Sequence, residues 1–161
     1  MTPPPLTLSL ASPEATADLA RRLGALLHPG DSLLLEGDIG AGKTHFARAL
    51  IQSLLPVPED VPSPTFTLVQ TYEGAPGEIW HADLYRLSDI GEIEELGLTQ
   101  AMEEAICLIE WPDRLGDLAP PTALRLHFAA VADSEDARLL TLDWTGSGWA
   151  TRLAPLQETF Q

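Results

Sequence analysis

The chain has 161 residues, of which 45% are hydrophobic and 20% are charged, so its composition excludes a disordered or fibrous protein. Its formal net charge of −15 disfavours a strong grip on nucleic acid by this chain alone, because a negative surface repels polyanions and no basic cluster exceeds Arg21-Arg22. The single cysteine, Cys107, excludes an internal disulfide and lies in an apolar stretch typical of a buried side chain.

The length predicts a single domain spanning residues 1–161. Its first residues show no basic segment ahead of an apolar run, as a secretory leader would have. No stretch approaches the roughly 18 consecutive apolar residues of a membrane-spanning helix. We therefore expect a cytoplasmic protein that does not insert into a membrane.

The first part of the chain predicts a helix, a strand and a second helix. Ser12 and Pro13 are typical of a helix start, and helical spacing of apolar residues continues up to Pro29-Gly30. The short apolar run 32–37 predicts a buried strand that ends in glycine. After a glycine-rich turn, apolar residues return to helical spacing until Pro56.

The rest of the chain predicts further strands and short helices. Two short helical pieces are expected within 88–105, and the spacing of Trp149, Leu153 and Leu156 predicts a last helix. The predicted strands are 66–72, 78–87, 105–111, 124–131 and 138–144. The third of these is fully apolar and therefore central, while the last two form an antiparallel hairpin. The fold class expected is α/β, with a central mixed sheet flanked by helices.

The segment GDIGAGKT, from Gly37 to Thr44, matches the phosphate-binding pattern G-x-x-x-x-G-K-[ST] between a predicted strand and a predicted helix. In such a P-loop, backbone N–H groups and the helix N-terminus surround phosphate oxygens. The lysine reaches the β and γ phosphates, and the hydroxyl binds Mg²⁺. Lys43 is the only lysine in the chain, and we expect it to hold nucleotide phosphates. The other predicted nucleotide-binding residues are Asp38, Ile39, Gly40, Ala41, Gly42 and Thr44 of this segment and His45 directly after it.

Two acidic residues are candidates for the remaining chemistry of a P-loop hydrolase. Such an enzyme needs an acid at a strand end, either to hold Mg²⁺ or to orient the attacking water. Asp83 and Glu110 each follow an apolar stretch that predicts a strand. Their spacing leaves open which acid takes which role, so Thr44, Asp83 and Glu110 are all candidate metal ligands.

Two further residues are candidates for the nucleotide site, and each has a structural alternative. Thr65 lies in a proline-stiffened loop where a hydroxyl could sense the γ-phosphate, although a capped loop is an equal explanation. Trp111 could stack on a base or dock a partner, although a packed tryptophan is more common. The histidines show no metal-ligand spacing, so no zinc site is expected. Because the chain contains no asparagine, the N-K-x-D signature for guanine is absent, and ATP is the expected nucleotide.

The segments GDIGAGKT, SPTFTL, HADLYRL, EELGL and LIEWP, in this order, resemble the TsaE (YjeE) family, the ATPases of bacterial tRNA threonylcarbamoyladenosine biosynthesis. The resemblance is close from about Leu33 to Pro112. It implies a P-loop NTPase fold that binds and hydrolyses ATP with Mg²⁺. It also implies two partner proteins, TsaB and TsaD, through which tRNA would be engaged only indirectly.

The same resemblance implies roles for individual residues. Lys43 would contact phosphates, Thr44 and Asp83 would serve Mg²⁺, and Glu110 would promote hydrolysis. Thr65 would belong to a switch-like loop, and Trp111 would lie beside the nucleotide. The chain departs from the family at His45, where related sequences usually have threonine, which puts nucleotide affinity rather than activity in question.

Two other functions remain open at this point. A nucleotide-binding adaptor would bind ATP without turning it over, and the two strand-end carboxylates speak against it. A small-molecule kinase would need a mobile lid with converging arginines, whereas here the arginines are scattered and no insertion is long enough for a lid.

Overall fold

The computed structural model describes residues 5–38, 41–64, 67–145 and 148–160. Ile39, Gly40 and Thr65, which belong to the predicted nucleotide site, lie outside the described residues. The strands are β1 (Leu6–Leu10), β2 (Ser32–Gly37), β3 (Val69–Glu73), β4 (Glu78–Asp83), β5 (Ile106–Glu110), β6 (Leu124–Ala130) and β7 (Arg138–Asp143). The α-helices are α1 (Pro13–Gly24), α2 (Lys43–Leu54), α3 (Gly91–Glu95), α4 (Leu98–Glu104) and α5 (Gly148–Phe160), and a 3-10 helix spans Pro112–Leu118.

The strands form a mixed seven-stranded sheet in the order β1-β7-β6-β2-β5-β4-β3. The neighbouring strands β6, β2, β5 and β4 run parallel to one another. β3 is antiparallel to β4 at one edge, and β7 is antiparallel to both β6 and β1 at the other. The predicted α/β class, the central mixed sheet, the internal position of β5 and the C-terminal hairpin are all confirmed.

Helices cover both faces of this sheet. The side chains of a strand alternate between its two faces, and here apolar side chains point to both. In β2, Leu33 and Leu35 belong to the apolar cluster that also contains residues of α1, α2 and α5. Leu34 belongs to the second cluster, with residues of α3, α4 and the 3-10 helix. Ile79 of β4 and Leu108 of β5 lie in the first cluster, so these two positions face the side of the sheet that carries α1, α2 and α5.

Two predicted boundaries differ from the structure because the chain turns earlier than the apolar spacing indicates. The first helix starts with Ser12 as its N-cap, as predicted, but ends at Gly24. There the amides of Leu26 and Leu27 donate to carbonyls three residues back, which tightens the chain into turns well before Pro29. The strand predicted for 78–87 ends at Asp83, and the Leu87 amide then donates to the Leu84 carbonyl in a turn.

Two strands show what the pattern of apolar residues does not capture. β3 begins at Val69 rather than at the predicted residue 66, because Leu68 has the left-handed backbone angle φ of 68° and its amide donates to the Pro64 carbonyl at 2.8 Å. β1 was not predicted, although it buries Leu8 and Leu10 at the edge of the sheet. Among the described residues, no helix has the length and apolar character needed to cross a membrane.

Candidate nucleotide-binding site

Two glycines frame the loop between β2 and α2, and each has a positive φ. Gly37 ends β2 with a φ of 140°, and a Cβ atom there would lie 2.6 Å from the Phe128 carbonyl oxygen. Gly42 is the N-cap of α2 with a φ of 106°, and nothing lies within 4 Å of a Cβ placed on it. Among the described residues, no side-chain hydrogen bond caps this helix N-terminus, so its first-turn N–H groups are available to an anion.

Lys43 lies at the base of this loop with only 4% of its surface exposed. Its Nζ atom donates to the Gly37 carbonyl oxygen at 2.6 Å and lies 3.5 Å from the centroid of the Trp111 ring. Burial lowers the pKa of the Lys43 ammonium, and nearby carboxylates, first those of Glu110 and Asp83, oppose this shift. The single lysine of the chain is therefore held between the loop and the acidic ends of two strands.

Thr44 faces the opposite side of the helix start and contacts an acid. Its hydroxyl donates to Glu110 Oε1 at 2.9 Å and lies 3.2 Å from Glu110 Oε2. This contact follows from the sheet, because β5 lies beside β2 in parallel register and ends at Glu110. Glu110 is only 2% exposed, so its carboxylate is directed into the site.

Asp83 is brought to the same place by the next strand. It is the register partner of Glu110, it is 6% exposed, and its Oδ1 accepts from the Tyr85 amide at 3.0 Å. The structure thus brings both candidate acids to the strand ends beside the loop. Of the two, Glu110 is the acid that contacts the Thr44 hydroxyl.

Trp111 forms a wall of the site immediately after Glu110. Its backbone is left-handed, with φ of 59° and ψ of 53°, which turns the chain at the end of β5. Its half-buried ring lies over Lys43 and packs at 4.9 Å against the ring of Tyr85. Trp111 therefore lies beside Lys43, which is predicted to bind phosphate, and its place beside a nucleotide stays a prediction.

The remaining described candidates lie at the periphery. The exposed Asp38 follows Gly37, and its carbonyl accepts from the Ala41 amide at 3.0 Å. His45 is exposed, and its Nε2 lies 2.9 Å from the Pro13 carbonyl oxygen at the start of α1. The imidazole is thus directed towards α1, while the His45 backbone amide remains in the first turn of α2. The role of the His45 side chain in nucleotide binding stays a prediction.

Two residues that sequence reasoning did not single out contact this site. His81 is fully buried, and its Nε2 lies 2.7 Å from Glu110 Oε2. The Arg138 guanidinium donates through Nε to the Ala41 carbonyl at 2.9 Å and so holds the P-loop from β7. The position of His81, two residues before Asp83 on the same strand face, was a usable signal, whereas Arg138 gives no local signal at all.

The donor set suits the phosphates of a nucleotide and Mg²⁺. An ammonium and an uncapped helix N-terminus lie on one side, and both favour negative charge. A threonine hydroxyl and carboxylate oxygens lie on the other, and these are the hard oxygen ligands that Mg²⁺ prefers. Within the described ranges, no cluster of three or more His, Cys, Asp or Glu residues offers a separate metal site made only of such side chains.

Comparison with known proteins gives consistent results. The family model described as "Threonylcarbamoyl adenosine biosynthesis protein TsaE" matches residues 10–139. A tRNA threonylcarbamoyladenosine biosynthesis protein TsaE from Rickettsia conorii is 39% identical over 79% of this chain and 73% of its own length. The protein of the same name from Bacillus subtilis is 36% identical over 77% of both chains.

Comparison with solved structures supports the same relationship. The crystal structure of Bacillus subtilis YdiB superposes with a TM-score of 0.77 at 28% identity, covering 99% of this chain and 97% of YdiB. The match agrees with the predicted P-loop NTPase fold. Sequence and structure therefore agree that the chain belongs to the TsaE family of threonylcarbamoyl adenosine biosynthesis proteins.

Proposed function

We propose that this chain binds ATP with Mg²⁺ at the P-loop and hydrolyses it in support of tRNA threonylcarbamoyladenosine biosynthesis. The relatives that are 36% and 39% identical to this chain are named after that pathway. The observation that carries the proposal is the pairing of Thr44 with Glu110 at 2.9 Å beside the buried Lys43. A hydroxyl, a carboxylate and an ammonium are thereby presented together at a helix N-terminus.

Each of these side chains has a distinct task in the proposed reaction. Lys43 leaves the Gly37 carbonyl to hold phosphate oxygens, and Thr44 together with Glu110 offers oxygen ligands to the metal ion. Asp83 lies next to Glu110 in register and is available to orient the attacking water. Mg²⁺, when bound, neutralises charge on the phosphate oxygens. The geometry thus favours Glu110 for the metal side and Asp83 for the attacking water. Sequence spacing had left these roles open, and the family resemblance implied the reverse.

The chain would act within an assembly that includes TsaB and TsaD proteins. Its net charge of −15 disfavours a direct grip on tRNA, so tRNA would be held by the partners. The arginines of the chain are scattered along the sequence and are not grouped to converge on a transferred phosphoryl group. Hydrolysis by the isolated chain is therefore expected to be slow and to accelerate in the assembly.

The test is Mg²⁺-dependent phosphate release from ATP by the purified chain, with and without TsaB and TsaD. Lys43→Ala is the blank, and Glu110→Gln and Asp83→Asn separate the two acids. Partner-stimulated release that Lys43→Ala abolishes would support the proposal, with Glu110→Gln binding metal more weakly than Asp83→Asn.

Other outcomes would favour the other functions. ATP binding without release in any mixture would identify an adaptor. Transfer of the γ-phosphoryl group to an added small-molecule acceptor, rather than to water, would identify a kinase. Unchanged turnover in Glu110→Gln would refute the role given to that carboxylate.

A further inference from the structure

A buried histidine stands behind the carboxylate that contacts Thr44. His81 lies on β4, is 0% exposed, and places Nε2 2.7 Å from Glu110 Oε2. Its other ring nitrogen, Nδ1, is buried and has no hydrogen-bond partner among the described residues. Burying a polar ring with one nitrogen left unpaired costs free energy, and the hydrogen bond to Glu110 offsets only part of that cost. The presence of a histidine here therefore calls for a functional explanation.

The contact defines which tautomer the ring adopts. A carboxylate only accepts hydrogen bonds, so Nε2 must carry the hydrogen and donate to Glu110 Oε2. His81 is therefore a donor to Glu110 through Nε2.

Glu110 accepts hydrogen bonds from two donors, which differ in whether they could themselves bind the metal ion. Thr44 donates from the side of the P-loop, and its hydroxyl would itself be a metal ligand in the proposed function. His81 donates from inside the sheet, where a bound metal ion does not compete with it. Among the described residues, His81 is thus the donor that can keep the carboxylate in place both before and after the metal ion binds.

We propose that His81 is a positioning residue that holds Glu110 in the orientation needed to bind the metal ion with the nucleotide. This inference rests on the proposed function, because it assigns His81 a task at that same site. Partners behind metal ligands orient them, and their loss commonly lowers metal affinity by about 10–100-fold. The effect should appear in metal affinity and not in metal-free nucleotide binding, since His81 contacts Glu110 rather than the loop.

The experiment measures binding of Mn²⁺ in the presence of ADP by the electron paramagnetic resonance of free Mn²⁺, which accepts the same oxygen ligands as Mg²⁺. His81→Leu fills the space without a donor, and His81→Gln restores an N–H near the position of Nε2. Ile79→Val is the matched control, because Ile79 is also 0% exposed in β4, lies on the same face as His81 and belongs to the apolar core cluster. Binding of ADP without metal is measured in parallel.

The expected result is Mn²⁺ affinity lowered about 10–100-fold in His81→Leu and largely recovered in His81→Gln. Ile79→Val and all metal-free ADP affinities should stay near those of the unaltered chain. Wild-type affinity in folded His81→Leu would overturn the inference, and so would a His81→Gln variant as impaired as His81→Leu.

A measurement on the unaltered chain covers the case in which His81→Leu does not fold. Nitrogen-15 resonances of the imidazole should identify the Nε2–H tautomer, and the Nδ1–H tautomer would overturn the inference directly. Failure of the unaltered chain to bind Mn²⁺ with ADP would instead overturn the proposed function, and the inference with it. The two failures are therefore distinguishable.

Discussion

Lys43 and Thr44 are neighbours in the chain, yet their side chains point to different sides of the site and contact different residues. Successive residues of an α-helix point about 100° apart, so one of the pair can reach back while the other reaches across. Lys43 contacts the Gly37 carbonyl and Trp111, whereas Thr44 contacts Glu110. The order of these two residues therefore separates the proposed phosphate side of the site from the proposed metal side.

Burial of Lys43 gives a testable dependence of stability on pH. Burial lowers the pKa of this ammonium below its ordinary value of 10.5, so the unfolded chain holds the proton more tightly than the folded one. The resulting penalty is fully present below the folded pKa and disappears as pH rises towards 10.5. Relative to Lys43→Met, the unfolding free energy of the unaltered chain should therefore rise over this window, as measured by urea denaturation at several pH values. A difference that is constant or falls with pH would contradict the assignment.

Cys107 offers a second prediction for a single residue. It is 0% exposed in β5, and burial, aided by Glu78, raises the pKa of its thiol to about 12. Because the thiolate is the reactive form, the native chain should react with an aromatic disulfide reagent at pH 8 at least about 100-fold more slowly than the chain in urea. The measurement is the release of the coloured thiolate over time, and equal rates in both conditions would show that the thiol is accessible.

At the scale of elements, the P-loop depends on two glycines that differ in what surrounds them. Gly42→Ala places a methyl group in open space with a positive φ, so it should cost roughly 1–2 kcal/mol of backbone strain. Gly37→Ala also brings the methyl to 2.6 Å from the Phe128 carbonyl, and a loss above about 3 kcal/mol is expected.

Urea denaturation of the two glycine variants measures the difference. Nucleotide affinity provides the second readout. The methyl group added in Gly42→Ala would lie at the N-cap of α2 and would contact no residue of the sheet. Weaker nucleotide binding is therefore expected in Gly42→Ala despite its smaller loss of stability. A Gly37→Ala variant as stable as Gly42→Ala would show that the end of β2 can shift away from β6.

The elements also show why some predictions succeeded and others failed. The P-loop was predicted because its signal lies in eight consecutive residues, Gly37 to Thr44, between a strand and a helix. The start of β3 was wrong because the left-handed backbone of Leu68 interrupts a run whose composition is typical of a strand. An alternation of residue types therefore predicts a strand but not a local turn inside it.

The contacts that complete the site lie beyond what a local pattern can indicate. His81 and Glu110 are 29 positions apart, and Arg138 and Ala41 are 97 apart. These pairs meet only because β4 lies beside β5 and because β7 follows β6 at the side of β2. The acids could be proposed from their strand-end positions, but His81, which contacts Glu110, and Arg138, which contacts the P-loop, required the strand order.

On the scale of the whole molecule, α5 is tied to the connection between α1 and β2 by one partly buried ion pair. The Arg152 guanidinium contacts both oxygens of Asp31, at 2.5 Å and 3.2 Å, and also donates to the Leu26 carbonyl. It lies 4.1 Å from the centroid of the Trp149 ring. A chain with 24 acidic and 9 basic residues thus uses one of its few arginines to attach its last helix.

Loss of this attachment should lower stability well beyond the loss of an exposed ion pair. Arg152→Met keeps the apolar stem but leaves Asp31, whose side chain is 18% exposed, without its cation, and we expect a cost of about 1.5–3 kcal/mol. The matched control is Arg125→Met, whose partner Glu36 lies 3.0 Å away in a pair with side chains 45% and 35% exposed, and this should cost at most about 1 kcal/mol. Urea denaturation of both variants measures the difference, which should persist at high salt for Arg152 and shrink for Arg125 because salt screens exposed charges more. Equal losses in the two variants would show that the last helix is held by its apolar face, through Leu153 and Leu156, and not by the ion pair.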